Sequence, residues 1–351
     1  QTVTWAVAGT DVAPVNARQV RISLSVDGGA TFPHVLADAV PNTGSASVTL
    51  PNVATDRARI RIEAVGNVFF DLNDADLTIR AVPEVSHDAP AGGVAVQYSD
   101  ALAPTVTVTA SDADTAGAAL TASAVGLPAG LSLAVAATSG ADTRPGTRSW
   151  TVAGATTAAP GDYPVTVTVS DGTGLAASTS FTVRVGAEDA AVSWAGDTLV
   201  TTAAGGRSGT ALLRAVVRDG SVLPGASDTT TGDVRRATVT FTEGGVPLCT
   251  GVVDLLGAPA GSGSASCEAT LPTGTHTVTA TVGGHYTGAT SAQVRVAPSD
   301  GAFLTGDGML DAGRSAGLFP VTPGSRVTVD LVAKPAKAGR SPTGSATVDF
   351  R

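Results

Sequence analysis

The sequence predicts an all-β fold, a row of small antiparallel sandwiches, on three observations. Apolar residues recur with period two in many short stretches. Turn signals built from Gly, Asp, Asn and Pro separate those stretches. No stretch long enough for an ordinary helix keeps a helical period between good caps.

Taken in order, Thr2 to Val7 opens the chain as a strand. Val20-Arg21-Ile22-Ser23-Leu24-Ser25-Val26 puts aliphatic residues on one face and polar groups on the other, and Arg59 to Glu63 repeats the pattern. The same alternation runs through Thr105–Thr109, Val165–Val169, Phe181–Val185, Ala237–Phe241 and Thr277–Val282. Asp27-Gly28-Gly29, Pro51-Asn52, Asp171-Gly172 and Gly283-Gly284 supply turns. Gly209 to Val217 is short and apolar enough to read as helix, but its β-branched content and its neighbours assign it to a strand.

With 351 residues, the chain suits three or four modules of about 100 residues each. Proline and small-residue breaks place the boundaries at Arg80–Glu84, Gly186–Asp189 and Ala297–Asp300. The expected modules are 1–84, 85–186, 187–297 and an incomplete one at 298–351. Charged residues at 15% argue against a coiled coil or a charged disordered tail. The apolar 43% is mostly Val and Ala, which predicts thin, separate cores.

Net charge is −9, and the only lysines are Lys334 and Lys337. Such a chain lacks the positive field that nucleic acid and anionic membranes attract, so neither is expected as a partner. No apolar run reaches the ~18 residues that membrane insertion needs. Arg-over-Lys usage with abundant Ala and Gly points to a GC-rich bacterial genome. Thr2–Val7 and Ala346–Phe350 read as strands at the two ends, so both ends are expected to be cuts through a longer exported protein.

An internal echo supports repetition. Pro160-Gly161-Asp162-Tyr163-Pro164-Val165 parallels Pro272-Thr273-Gly274-Thr275-His276-Thr277: a Pro and Gly turn leads through one ring-bearing residue into an alternating strand. A Tyr at such a corner bonds back to the preceding loop and pins it. Tyr163 is assigned that role, and His276 the same structural role in its own module.

These residues resemble known families. Thr4-Trp5-Ala6-Val7-Ala8-Gly9-Thr10, Val20 to Phe32 and Asn67-Val68-Phe69-Phe70-Asp71 resemble the small sandwich that follows reprolysin-like zinc metalloprotease domains. Where such modules would carry a Cys after Asn16 this chain has Ala17, so no bridge forms there. Gly126-Leu127-Pro128-Ala129-Gly130-Leu131 and Val167-Thr168-Val169-Ser170-Asp171-Gly172 make residues 85–186 resemble cadherin-like and Putative Ig modules. Residues 187–297 are similar to bacterial Ig-like repeats with one cysteine pair. The resemblances imply tandem immunoglobulin-like or fibronectin-like sandwiches of a secreted or cell-surface protein, and they carry no catalytic residues over.

Cys249 and Cys267 flank the turn Gly257-Ala258-Pro259-Ala260, and a hairpin centred on Ala258 would set them opposite each other as a disulfide. Ser25-Val26-Asp27-Gly28-Gly29-Ala30-Thr31-Phe32 fits the Asp-box pattern, a turn device that builds propellers only in multiple copies. Gly313-Arg314-Ser315-Ala316-Gly317 matches the nucleophile-elbow string, yet Leu318-Phe319-Pro320 follows and His285 is the last histidine, so the triad order fails. Gly172-Thr173-Gly174 precedes a strand rather than a helix, which removes the dinucleotide reading. His34, His87, His276 and His285 show no paired ligand spacing.

Asp112, Asp114 and Asp171 could hold calcium at one end of the second module, as cadherin-like modules do, and Asp71 to Asp76 is a second acidic loop. Solvated turn carboxylates are the default reading, and no other cofactor is expected. Trp5 and Trp194 read as core residues, and Trp150 beside Arg144 and Arg148 as the candidate glycan contact. No catalytic residues are identified. Three functions follow: a non-catalytic structural or adhesive region with a protein or glycan partner, an accessory region of a zinc metalloprotease whose centre lies upstream, or a carbohydrate-binding module.

Overall fold

The computed structural model describes residues 1–136, 145–225, 228–299, 304–312, 325–334 and 343–350. The chain divides into two compact units, Gln1–Gly186 and Ala187–Arg351. The fold is all-β. The helical pieces among the described residues are three single 3-10 turns, at Gly117–Ala119, Gly220–Val222 and Val234–Arg236.

The first unit opens with β1 (Thr2–Thr4), β2 (Gln19–Ser25), β3 (His34–Pro41), β4 (Ser45–Ser47), β5 (Thr55–Ala64), β6 (Phe70–Leu72) and β7 (Leu77–Ile79). One sheet runs β3-β2-β5-β6 with β7 also on β5, and β1 pairs with β4. Ile22 and Leu24 are fully buried and Arg21 is exposed, as period-two alternation demands. Ser23 and Ser25 break the pattern, because both polar residues are buried. Ser23 stands in register between the larger Val35 and Arg61, and the Ser25 hydroxyl is used inside a turn.

The unit continues with β8 (Glu84–His87), β9 (Val94–Gln97), β10 (Val106–Asp112), β11 (Thr121–Val125), β12 (Leu131–Val135), β13 (Gly146–Gly154), β14 (Gly161–Ser170) and β15 (Ala176–Gly186). They form two sheets, β12-β13-β10-β8 and β11-β14-β15-β9. Val106, Val108 and Val152 from one sheet and Val165, Val167 and Val183 from the other share one core. The opening strand is split: β8 pairs antiparallel with β10, and β9 lies parallel to β15 in the other sheet.

In the second unit β16 (Glu188–Trp194), β17 (Leu199–Ala204), β18 (Ser208–Asp219), β19 (Ala237–Glu243), β20 (Val246–Val252), β21 (Asp254–Leu255), β22 (Ser262–Pro272), β23 (Gly274–Gly284) and β24 (Tyr286–Ser299) are linked in the path β20-β19-β23-β24-β16-β18-β22-β21. The split opening strand recurs: β16 pairs antiparallel with β18 and, with β17, parallel to β24. In β18 Ala211, Leu213, Ala215 and Val217 are buried while Leu212 is 40% exposed, the alternation of a strand and not a helical stripe. β24 runs on to Ser299, past the Pro298 break, because Thr201 and Ala204 of β17 pair with Ala297 and Ser299. β25 (Leu304–Ala312), β26 (Ser325–Lys334) and β27 (Thr343–Phe350) form an antiparallel meander.

The abundance of Thr and Ser has a local cause. On solvent faces their hydroxyls pair across strands, Thr166 with Ser180 at 3.0 Å, Thr168 with Ser178 at 2.8 Å and Thr279 with Ser291 at 3.0 Å. A β-branched residue with a hydroxyl suits such a face because it favours the strand backbone and still meets water.

Candidate functional site

Cys249 of β20 and Cys267 of β22 are joined in a disulfide with Cα atoms 6.2 Å apart. The bond takes a different route from the expected hairpin. Cys249 stands opposite Phe241 of β19, Cys267 opposite Leu213 of β18, and β20 and β22 share no ladder. The intervening β21 pairs with β22, Asp254 with Ser264 and Leu255 with Gly263, and so occupies the hairpin position. The disulfide therefore links two distant members of the strand path.

Tyr163 and His276 occupy equivalent corners. The Tyr163 hydroxyl donates to the Ala159 carbonyl at 2.8 Å, four residues back. His276 Nε2 lies 2.8 Å from the Pro272 carbonyl, also four residues back, and its Nδ1 lies 2.8 Å from Glu243 Oε1 on β19. Burial disfavours a charged ring there, but the Pro272 carbonyl and the Glu243 carboxylate outweigh it and raise the His276 pKa. His285 shifts the other way, lowered by burial and by the nearby Arg236 cation.

Among the described residues Asp112, Asp114 and Asp171, the carboxylates that could hold calcium, do not form one ligand group. Each is spent locally. Asp112 Oδ1 accepts the Asp114 and Thr115 amides at 3.0 and 2.8 Å, and its Oδ2 is buried without a hydrogen-bond partner. Asp114 accepts from Arg80 Nη1 and the Ala81 amide, both at 3.1 Å. Asp171 accepts the Thr173 amide and hydroxyl at 2.7 and 2.6 Å and the Leu175 amide at 3.2 Å. Burial opposes the charge on Asp171, yet these donors hold its pKa below the ordinary value. In the second acidic loop Asp76 pairs with Arg59 at 2.8 Å, and Asn73 Oδ1 accepts the Ile60 amide at 2.6 Å.

The same device recurs. Asp219, Asp228 and Asp233 each accept the amide two residues on, from Ser221, Thr230 and Arg235. Much of the acidic excess is thus turn scaffolding, since an Asx side chain can stand in for a backbone acceptor. Asp27 carries the Asp-box in this way. Its carboxylate accepts the Ser25 and Thr31 hydroxyls at 2.6 Å and the Thr31 amide at 3.0 Å. Led by the Ser25 bond, these donors hold its pKa well below the carboxylate range.

Asp219 is the polar centre that sequence reasoning missed. Fully buried at the end of β18, it accepts from Ser221, the Gly232 amide and, at 2.8 Å, the Tyr286 hydroxyl of β24. An Asp-Gly pair at a strand end signals a turn in sequence, and only tertiary packing brings Tyr286 to it.

The aromatic expectation is inverted. Trp150 is 3% exposed and packs with Ala110, Leu120 and Val169, with the Arg148 guanidinium 5.8 Å from its ring. It cannot be an open glycan platform; Arg144 lies outside the described residues. Trp5 and Trp194 are half-buried, their indole N–H groups donating to Asn42 Oδ1 at 2.7 Å and to the Gly196 carbonyl at 3.0 Å. Phe32 and Phe70 instead form an aromatic group around the Arg61 guanidinium, whose Cζ lies 4.3 and 5.9 Å from their ring centroids. The elbow-like string around Ser315 lies outside the described residues. No helix among the described residues is long and apolar enough to cross a membrane.

Gly126 and Gly130 give the Gly-Leu-Pro-Ala-Gly-Leu signature its physical content. Both have positive φ, +83° and +92°, and a Cβ would strike the Pro164 carbonyl at the first and the Ala155 carbonyl at the second.

Comparison with curated proteins finds no match. Among solved structures the chain is similar to a protocadherin γB4 extracellular domain, at 12% identity and TM-score 0.30 over 94% of this chain and 60% of that one. It is similar to the Yersinia pseudotuberculosis adhesin InvE at 14% identity and TM-score 0.32, over 60% of this chain and 58% of that one. It is also similar to domains 4–9 of surface layer protein SbsC, at 13% identity and TM-score 0.21 over 98% of this chain and 58% of that one. The chain thus spans about three-fifths of the length of each of these structures. Residues 85–186 match the family profile of the Putative Ig domain.

Proposed function

We propose that this chain is a non-catalytic structural region of an exported bacterial surface protein, a run of Ig-like sandwiches that spaces or presents its neighbours. One observation carries the reading: several polar groups that sequence would nominate as ligands or catalysts are engaged in holding turns and corners. The carboxylates of Asp27, Asp114, Asp171 and Asp219, and both ring nitrogens of His276, hold backbone or neighbouring side chains. The disulfide supports export, since such bonds persist in oxidising compartments. Side chains that build turns confer rigidity, which a spacer needs, and leave binding to loop ends.

Small-angle scattering on the purified chain tests the proposal. A single compact body of 351 residues has a radius of gyration of about 20 Å. A spacer gives a clearly larger value, with a maximum dimension of several module lengths. A compact particle, or turnover of a peptide, glycan or ester by the purified chain, overturns the reading.

A further inference from the structure

The ring of His276 is flanked on both edges by oxygens that accept: the Glu243 carboxylate 2.8 Å from Nδ1 and the Pro272 carbonyl 2.8 Å from Nε2. A neutral imidazole has one N–H and one bare nitrogen, so it can satisfy only one of them, and the other contact would set lone pair against lone pair. His276 is 8% exposed, and at 2.8 Å each oxygen stands in direct contact with its ring nitrogen, with no room for a water between them. We infer that His276 is held as the doubly protonated imidazolium and acts as a proton-operated clasp joining β19, the end of β22 and the start of β23.

The surroundings fit a single compensating charge. Glu243 from β19 is the charged group bearing on the ring. β24 sets Val294 opposite His276, while Arg295 of that strand faces Thr275, on the other side of the sheet. β22 contributes the Pro272 carbonyl. At the equivalent corner of residues 85–186 the Tyr163 hydroxyl makes the four-back bond as an uncharged donor. The corner at His276 thus differs from its counterpart by being sensitive to acid and base.

The sign follows from a folded-state pKa raised above the free value. The clasp contributes fully below the ordinary histidine value of about 6.5 and is lost as pH rises through the higher folded value. Base, and not acid, then loosens the junction of β22 with β23 and its tie to Glu243 of β19.

Nitrogen-15 NMR of the histidine rings in the full, oxidised chain tests this without any substitution. Both His276 nitrogens are expected to show the protonated shift at neutral pH, with a midpoint above about 6.5, while His285 titrates below it. A His276 ring with one bare nitrogen at neutral pH, or a midpoint at or below the ordinary value, overturns the inference. Two variants extend the test. Glu243→Gln is expected to lower the His276 midpoint, and an unmoved midpoint overturns the clasp. His276→Tyr is expected to abolish the fall in melting temperature between neutral and mildly basic pH; persistence of that fall in a folded variant overturns it too.

Discussion

At the scale of single residues, glycine and aspartate carry most of the specific information. Gly130 and Gly172 both adopt positive φ, but a Cβ at Gly130 would press on the Ala155 carbonyl, while at Gly172 it meets open space. Gly172→Ala should therefore cost only the left-handed penalty of about 1–2 kcal/mol. Gly130→Ala adds a backbone clash and should cost more than about 2 kcal/mol. Denaturant unfolding of the two variants checks the ordering, which vanishes if the Gly130 loop can simply move.

The turn aspartates predict behaviour in acid. Asp27 and Asp171 have folded pKa values below their unfolded ones, so each stabilises its turn above the ordinary value of about 3.9 and loses that contribution as pH falls toward the folded value. Carboxyl-carbon NMR should show both ionised at pH values where ordinary aspartates are half protonated. Asp27 is the more extreme, because two hydroxyls and an amide converge on it. A normal midpoint at Asp27 would mean the turn is open in solution.

At the scale of elements, strands were legible wherever alternation and turn residues agreed, as in β2, β14 and β18. Burial of individual side chains was less so. Trp150, beside arginines, has no core assignment in sequence and stands there as a candidate contact, yet it packs in a core cluster, and Trp5 and Trp194 read as core yet remain half-buried. Local sequence cannot distinguish these cases, because a strand has two faces and the partner sheet decides which is covered. The cysteines teach the same lesson: proximity of Cys249 and Cys267 followed from their spacing, but insertion of β21 moved the link from a hairpin to two strands without a shared ladder. Closing a loop of 18 residues is worth about 3 kcal/mol in the chain-entropy model. Reduction should lower the stability of the module containing β16–β24 by about that amount and leave the melting of residues 85–186 unmoved. Equal loss in both would place the effect elsewhere than this bond.

For the whole molecule, the acidic balance of −9 has a structural reading. Asp114 and Asp171 are committed to turns and an ion pair, and among the described residues the carboxylates of Asp112, Asp114 and Asp171 do not form one ligand group. Adding calcium should leave the melting temperature unchanged; a clear rise that Asp112→Asn abolishes would restore a cation to the second module.

By itself the sequence determined the strand class, the turn positions, the cysteine pair and the corner residues Tyr163 and His276, because alternation, glycine conformation and four-back bonding are local properties of the chain. Only the tertiary structure decided which sheet each strand joined, which tryptophan was covered, that Asp219 meets Tyr286, and that Glu243 completes the cage around His276. Those outcomes rest on register between segments tens of residues apart, and period-two alternation is the same in every register that keeps the faces aligned.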